Sequence, residues 1–103
     1  MKMEIDCREG VLYIKLCGEV DEHGVAALRK EVDRRIENHA SRIEKAVFDL
    51  RGISFMDSTG IGFLIGRYKK FSRYGIAAYI KNSTPATDRI LTMSGIYTLM
   101  PKI

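Results

Sequence analysis

The stretch of sequence that decides the fold is Phe48-Asp49-Leu50-Arg51-Gly52-Ile53-Ser54-Phe55-Met56-Asp57-Ser58-Thr59-Gly60-Ile61-Gly62. It begins inside a short apolar run, 45–50, which predicts a buried strand. A loop over 51–57 follows, and a helix begins at Asp57 or Ser58. The helix is predicted because apolar residues then recur at helical spacing, at Ile61, Leu64, Ile65 and Tyr68. The stretch is therefore a strand, a loop and a helix.

The residues before this unit predict a hairpin and a first helix. Polar and apolar residues alternate in 3–8 and again in 11–16, and the short turn Glu9-Gly10 between them indicates two antiparallel strands. Asp21 is the expected N-cap of the helix that follows. The apolar face of that helix consists of Val25, Leu28, Val32 and Ile36.

The residues after it predict one more strand and one more helix. Gly75 ends the second helix, 76–80 forms a buried strand, and Thr84-Pro85 begins a short third helix that Gly95 closes. Residues 96–103 form either a short edge strand or a tail. The order predicts an α/β domain with a mixed sheet, in which an opening antiparallel hairpin precedes parallel strands. Three to four helices are expected to cover this sheet.

The composition limits the possible classes of function. The 103 residues suffice for one domain, expected over 1–103, and the formal net charge of +4 is too small to require a nucleic-acid partner. Cys7 and Cys17 lack CxxC spacing and are expected to be buried free thiols, so no metal site or cofactor is predicted. Without a signal peptide or an apolar run of about 18 residues, a cytoplasmic protein with no membrane partner is expected.

Ser58 is the main candidate for a functional residue. It follows the carboxyl end of a predicted strand, where the ligand and partner sites of open α/β sheets gather. It also lies at a helix N-terminus, where free N–H groups and the helix dipole favour an anion. Gly60 and Gly62 lack Cβ atoms, so another surface can approach the backbone closely.

Four interpretations of this turn compete. Asp57 and Ser58 can simply cap the helix, with the glycines assisting its packing on the sheet. A phosphate-binding loop would need the GxxxxGK[ST] pattern, which is absent. A serine hydrolase would need a GxSxG elbow and a histidine near Ser58, and neither His23 nor His39 has an evident reason to meet it. In the fourth, Ser58 is a phosphoryl acceptor whose phosphate the helix N–H groups would hold without refolding the domain.

Several separated motifs resemble those of the anti-sigma factor antagonists, members of the STAS domain family. They are Gly18-Glu19-Val20-Asp21, Phe48-Asp49-Leu50, Phe55-Met56-Asp57-Ser58-Thr59-Gly60-Ile61-Gly62 and Met93-Ser94-Gly95-Ile96. They span essentially the whole chain in the family's order, which makes the resemblance more specific than the serine motif alone.

The resemblance implies a non-enzymatic partner switch without a cofactor. The unphosphorylated protein binds an anti-sigma factor that is also a serine kinase and so frees a sporulation sigma factor. That kinase transfers a phosphoryl group from ATP to Ser58 and the complex separates, until a serine phosphatase restores the hydroxyl. The implied partner-binding residues are Asp21, Asp57, Ser58, Thr59, Gly60, Ile61 and Gly62. The alternatives are an antagonist or scaffold of a general stress-response pathway and, remotely, an enzyme with Ser58 as nucleophile.

Three features of the second helix leave further interpretations open. Residues 67–74 interleave basic and aromatic side chains, as in some nucleic-acid interfaces, although the same pattern suits a solvated helix end. Phe63 lies off the main apolar stripe and is either an exposed anchor for a partner or part of the core. Arg67 is a further candidate for partner contact.

Overall fold

Strands and helices follow one another in the predicted order. The computed structural model describes residues 2–19 and 22–103. The elements of the described chain are β1 (Lys2–Arg8), β2 (Val11–Glu19), α1 (Glu22–His39), β3 (Lys45–Phe55), α2 (Ser58–Arg73), β4 (Ala77–Lys81) and α3 (Pro85–Ser94). Short 3-10 turns follow α1 at Ala40–Arg42 and α3 at Ile96–Thr98.

The strands form one mixed sheet in the order β1-β2-β3-β4. β1 is antiparallel to β2, whereas β2, β3 and β4 are parallel to one another. The hairpin turns at Glu9 and Gly10, whose φ angles of 52° and 80° suit a tight two-residue loop between twisted strands. The predicted α/β class and mixed sheet are thereby confirmed.

The helices pack on one face of the sheet. Right-handed crossovers between sequential parallel strands place the connecting helices on the same side. The core consists of side chains from that face of the strands and from the helices, among them Leu12, Ile14, Phe48, Leu50, Ile80, Val32, Ile36, Leu64, Phe71 and Leu91. Met3 and Ile5 of β1 pack against this core, as their alternation predicts.

β3 is longer than the sequence predicts. It continues beyond Leu50 to Phe55, so that only Met56 and Asp57 separate it from α2. The added residues pair with the end of β2, where the register shifts twice. Gly52 permits this pairing because a Cβ there would lie 2.6 Å from Cys17 Sγ.

Two other expectations need correction. Cys7 is exposed and Cys17 is half-buried, so they are not the buried thiols that were expected. Cys7 lies near the end of the edge strand β1, on the same face as Met3 and Ile5, but unlike them it does not pack against the core. Residues 96–103 form neither a full strand nor a free tail, since after the 3-10 turn only Lys102 bridges to Ile80.

Candidate docking site at the start of helix α2

Asp57 organises the first turn of α2. Its backbone is extended (φ −134°, ψ −165°), which places the side chain over the end of the helix. Oδ1 accepts hydrogen bonds from the N–H groups of Thr59, at 2.9 Å, and Gly60, at 3.4 Å. The carbonyl oxygen of Asp57 accepts the N–H of Ile61 at 3.1 Å. Asp57 is therefore a helix cap, and Ser58 is the first residue of α2.

The cap changes what a phosphate on Ser58 would meet. The sequence suggested that helix N–H groups would hold such a phosphate. Two of these groups, on Thr59 and Gly60, already donate to the carboxylate of Asp57. A phosphate would therefore face a negatively charged neighbour rather than a set of free donors.

Buried residues hold the turn on both sides of Ser58. Met56 is 2% exposed, and Gly60 is buried against the protein. Thr59 and Ile61 are half-buried, and Ile61 packs against the core. Ser58 itself is exposed, so its hydroxyl projects from an anchored segment.

Gly62 adds an open patch one helical turn from Ser58. It is exposed, and a Cβ at this position would have no atom within 4 Å. Residues four apart lie on the same helix face, so Ser58 and Gly62 contribute to one surface. A partner can approach the backbone of α2 closely here.

The ends of two strands lie beside this turn. Glu19, the last residue of β2, pairs with Phe55, the last residue of β3. Phe55 is 52% exposed, a large apolar side chain two residues before Asp57. Sequence reasoning missed Phe55 because it predicts a loop over 51–57, whereas β3 continues to Phe55. Asp21, the remaining predicted partner residue, lies outside the described residues.

Phe63 and Arg67, further along α2, have structural roles. Phe63 is 1% exposed, so it belongs to the core and is not an exposed anchor. Arg67 is 7% exposed, its Nε lies 2.8 Å from Asp33 Oδ1 of α1, and its guanidinium stacks over the Phe63 ring. Burial lowers the pKa of Arg67, and Asp33 opposes that shift. Arg67 therefore joins α2 to α1, and its burial argues against the suggested partner contact.

The geometry disfavours a serine nucleophile activated by His39. α1 ends at His39, beside the start of β3, whereas Ser58 follows the end of β3. The 11 residues of β3 separate the two sites by about 30 Å.

Among the residues that the structure describes, no cluster of His, Cys, Asp and Glu could hold a metal ion. No helix in that part of the chain is long and apolar enough to cross a membrane.

Known proteins with similar sequences or folds agree with this architecture. The STAS domain model matches residues 2–103. A Paenibacillus polymyxa protein named anti-sigma F factor antagonist is 34% identical over 101 residues, covering 98% of this chain and 85% of that protein. An anti-sigma-B factor antagonist from Bacillus subtilis is 26% identical over 99 residues, covering 93% of this chain and 86% of that protein.

The same fold occurs in a solved structure of a Bacillus protein. The Bacillus cell fate determinant SpoIIAA in its phosphorylated form aligns with a TM-score of 0.76 and 22% identity, over 99% of this chain and 91% of that one. Its fold agrees with the mixed sheet and helices described above. The matched model over residues 2–103, together with the 34% identical relative, shows that the chain belongs to the STAS domain family.

Proposed function

We propose that this protein is an anti-sigma factor antagonist, a cytoplasmic binding protein rather than an enzyme, with Ser58 as its phosphorylation site. The exposure of Ser58 on a turn anchored by Met56 and Gly60 carries this proposal. A kinase can reach the hydroxyl without unfolding the turn. The names of the similar proteins supply the class of partner, an anti-sigma factor.

The proposed docking site is the Ser58 surface, which consists of Phe55, Asp57, Ser58, Thr59, Gly60, Ile61 and Gly62. Phe55 offers an apolar anchor, and the bare backbone at Gly62 allows close approach. Aromatic anchors often contribute much of the binding energy of an interface. Asp21 is proposed to extend this surface, because it comes two residues after Glu19 in the sequence and Glu19 pairs with Phe55.

The proposed switch works through charge. The anti-sigma factor binds the unphosphorylated protein, frees a sporulation sigma factor, and as a serine kinase transfers the γ-phosphoryl group of ATP to Ser58. The phosphate adds about −1.5 to −2 charge beside Asp57, in a surface that binding must desolvate. Each loss of about 1.4 kcal/mol weakens binding about tenfold, so a few kcal/mol suffice for release. A serine phosphatase then restores the hydroxyl.

Phosphate mapping tests the proposed site directly. The protein is incubated with the cognate kinase and ATP, and the modified residue is identified by tandem mass spectrometry. We expect phosphate on Ser58, none in Ser58→Ala, and normal labelling in the control Ser72→Ala. Ser72 is suitable because it is an exposed serine near the other end of the same helix. Phosphate only on Thr59 or elsewhere would contradict the proposed site.

Binding measurements test the switch and the anchor separately. Ser58→Ala should stay bound to the kinase in the presence of ATP, and Ser58→Asp should bind poorly. Phe55→Ala should weaken docking by about tenfold or more, as loss of an aromatic anchor does, with little change in stability because the side chain is largely exposed. Unchanged affinity of Phe55→Ala would remove Phe55 from the docking site.

A general stress-response antagonist or scaffold is the second candidate. The Bacillus subtilis relative named anti-sigma-B factor antagonist favours it, although its identity of 26% is below the 34% of the anti-sigma F relative. Affinities for an anti-sigma F and an anti-sigma-B factor, measured side by side, distinguish the two. Tighter binding to the anti-sigma-B factor would replace the sporulation assignment with the stress-response one.

A further inference from the structure

The sheet face opposite the helices carries alternating charges. Glu4 of β1 pairs in register with Lys15 of β2, Lys15 pairs with Asp49 of β3, and Asp49 pairs with Lys81 of β4. These four residues, here called the charge ladder, cross the whole sheet in one row with the signs minus, plus, minus, plus. Neighbouring strands are about 4.8 Å apart, so the row spans about 14 Å.

In the part of the chain that the structure describes, no ion pair neutralises the charge ladder. The ion pairs found in the described part of the molecule involve other acidic side chains: Asp6, Glu31, Asp33, Glu37 and Asp88. The Asp49 side chain accepts the nearby N–H of Arg51, at 3.0 Å, and Lys81 lies over the ring of Tyr13. The carboxylates and ammonium groups of the ladder can therefore pair with charges on another molecule.

The next two rows of this face are more apolar. The first row contains Asp6, Tyr13, Val47 and Tyr79, and the second contains Arg8, Val11, Lys45 and Ala77. Val47 itself is 1% exposed, so the accessible apolar surface of these rows comes from Val11, Tyr13 and Tyr79, which are half-buried, and from exposed Ala77. The face thus has an apolar centre beside a row of unpaired charges.

We propose that this face binds a second copy of the same chain. A two-fold axis parallel to the strands, between β2 and β3, reverses the order of every row. Glu4 then faces Lys81 of the second copy, and Lys15 faces Asp49 of the second copy. Each contact occurs twice in such an isologous interface, and the two sheets stack at about 10 Å, the usual spacing of packed sheets. The charge ladder is therefore complementary to itself.

The other rows are compatible with the same axis. Asp6 faces Tyr79 of the second copy, and Arg8 faces Ala77 of the second copy, so neither row brings like charges together. An axis running across the strands, through the middle row, would instead place Asp6 against its own equivalent. The charges therefore favour the axis parallel to the strands.

The size of the face makes this dimer weak. Four strands cover a width of about 19 Å, and the three rows with their flanks cover about 20 Å along the strands. The interface would bury roughly 800 Å² in total, below the roughly 1,200 Å² of stable complexes. The dimer therefore forms only at high protein concentration. The dimer leaves the helix layer and Ser58 exposed. The dimer and the proposed function are therefore independent of each other.

Charge reversal and charge exchange test the proposal. Sedimentation equilibrium is measured from about 10 µM to about 1 mM, where an interface of this size associates. Lys81→Glu and Glu4→Lys should each raise the dimer dissociation constant about tenfold, because each reverses two contacts in the dimer. The double variant Glu4→Lys/Lys81→Glu exchanges the charges and should return the constant to the parent value. Added salt should weaken the parent dimer.

Lys69→Glu is the matched control. Lys69 is exposed on α2, on the helix side, and its reversal changes the net charge as much as Lys81→Glu does. We expect parent dimerisation from this control. A parent protein that stays monomeric to the highest concentration would overturn the proposal. So would a double variant no tighter than the single variants, or a control that weakens the dimer as much as Lys81→Glu.

Discussion

Replacing Asp57 with asparagine should act differently on the two states of Ser58. Asparagine caps helices about as well as aspartate, and its side-chain oxygen can accept the N–H groups of Thr59 and Gly60. What is lost is a negative charge at the positive end of the helix dipole. In the unphosphorylated protein we therefore expect the free energy of unfolding to fall by about 0.3–1 kcal/mol.

The phosphorylated protein should respond in the other direction. In the folded protein, the Asp57 carboxylate and a phosphate on Ser58 lie about 6 Å apart, since the Cα atoms of the two residues are about 3.8 Å apart. A charge of about −1.5 and the carboxylate then repel by about 1 kcal/mol in a water-like medium and more near the protein surface. In the unfolded chain the two groups can turn apart. Removing the carboxylate should therefore favour the folded phosphoprotein, and the substitution's two effects should differ by about 1–2 kcal/mol.

Urea denaturation of four proteins measures this coupling. The set is the parent and Asp57→Asn, each with and without phosphate on Ser58. The coupling energy is the difference between the effects of the substitution in the two forms. If Asp57→Asn lowers the free energy of unfolding equally in both forms, the phosphate does not interact with the carboxylate. The proposal that repulsion between the phosphate and Asp57 contributes to release would then be wrong.

Three further predictions concern single positions or pairs of side chains. Gly62→Ala and Gly66→Ala place a methyl group in open space on α2 and should each raise the free energy of unfolding by about 0.8–1 kcal/mol. Because Gly62 belongs to the Ser58 surface, only Gly62→Ala should weaken binding of the proposed kinase in a titration. Asp33→Ala leaves the buried guanidinium of Arg67 unpaired and should lower the free energy of unfolding by about 3 kcal/mol in chemical denaturation. The double variant Asp33→Leu/Arg67→Met removes both charges and should lower it by less, and equal losses in the two variants would refute this. Hydrogen bonds and charges from lysine, tyrosine and serine partners lower the pKa of Asp88, so its stabilising contribution should be present above about pH 4 and be lost as pH falls through the lowered value. Asp88→Asn should lack this acid-dependent loss in unfolding measured against pH.

Local signals predicted most of the fold. The cap at Asp57 and the start of α3 at Thr84 are encoded within a few residues, and the structure has both. The same is true of the turn at Glu9 and Gly10, where two strands and a two-residue loop determine the pairing. These features depend on short-range hydrogen bonds and backbone preferences, which a single sequence displays directly.

The exposed aromatic residue of the candidate site depends on contacts between distant residues. The length of β3, and thus the position of Phe55, results from pairing with β2 through two register shifts. The burial of Phe63 results from the packing of α2 against both the sheet and α1, where Arg67 pairs with Asp33 and stacks over the Phe63 ring. A helix with two neighbours buries a wider face than its apolar stripe indicates. Periodicity within one helix therefore could not distinguish the two phenylalanines.

The two proposed surfaces use charge in different ways. The charge ladder contains two acidic and two basic residues, so it contributes nothing to the formal net charge of +4 and acts only through its order. The Ser58 surface acts through a change in charge, since one phosphate adds up to about two negative charges beside Asp57. Because one surface lies on the open sheet face and the other on the helix side, the same copy can use both at once. Release of the anti-sigma factor then requires no dissociation of the dimer, and dimerisation need not conceal Ser58 from a kinase or a phosphatase.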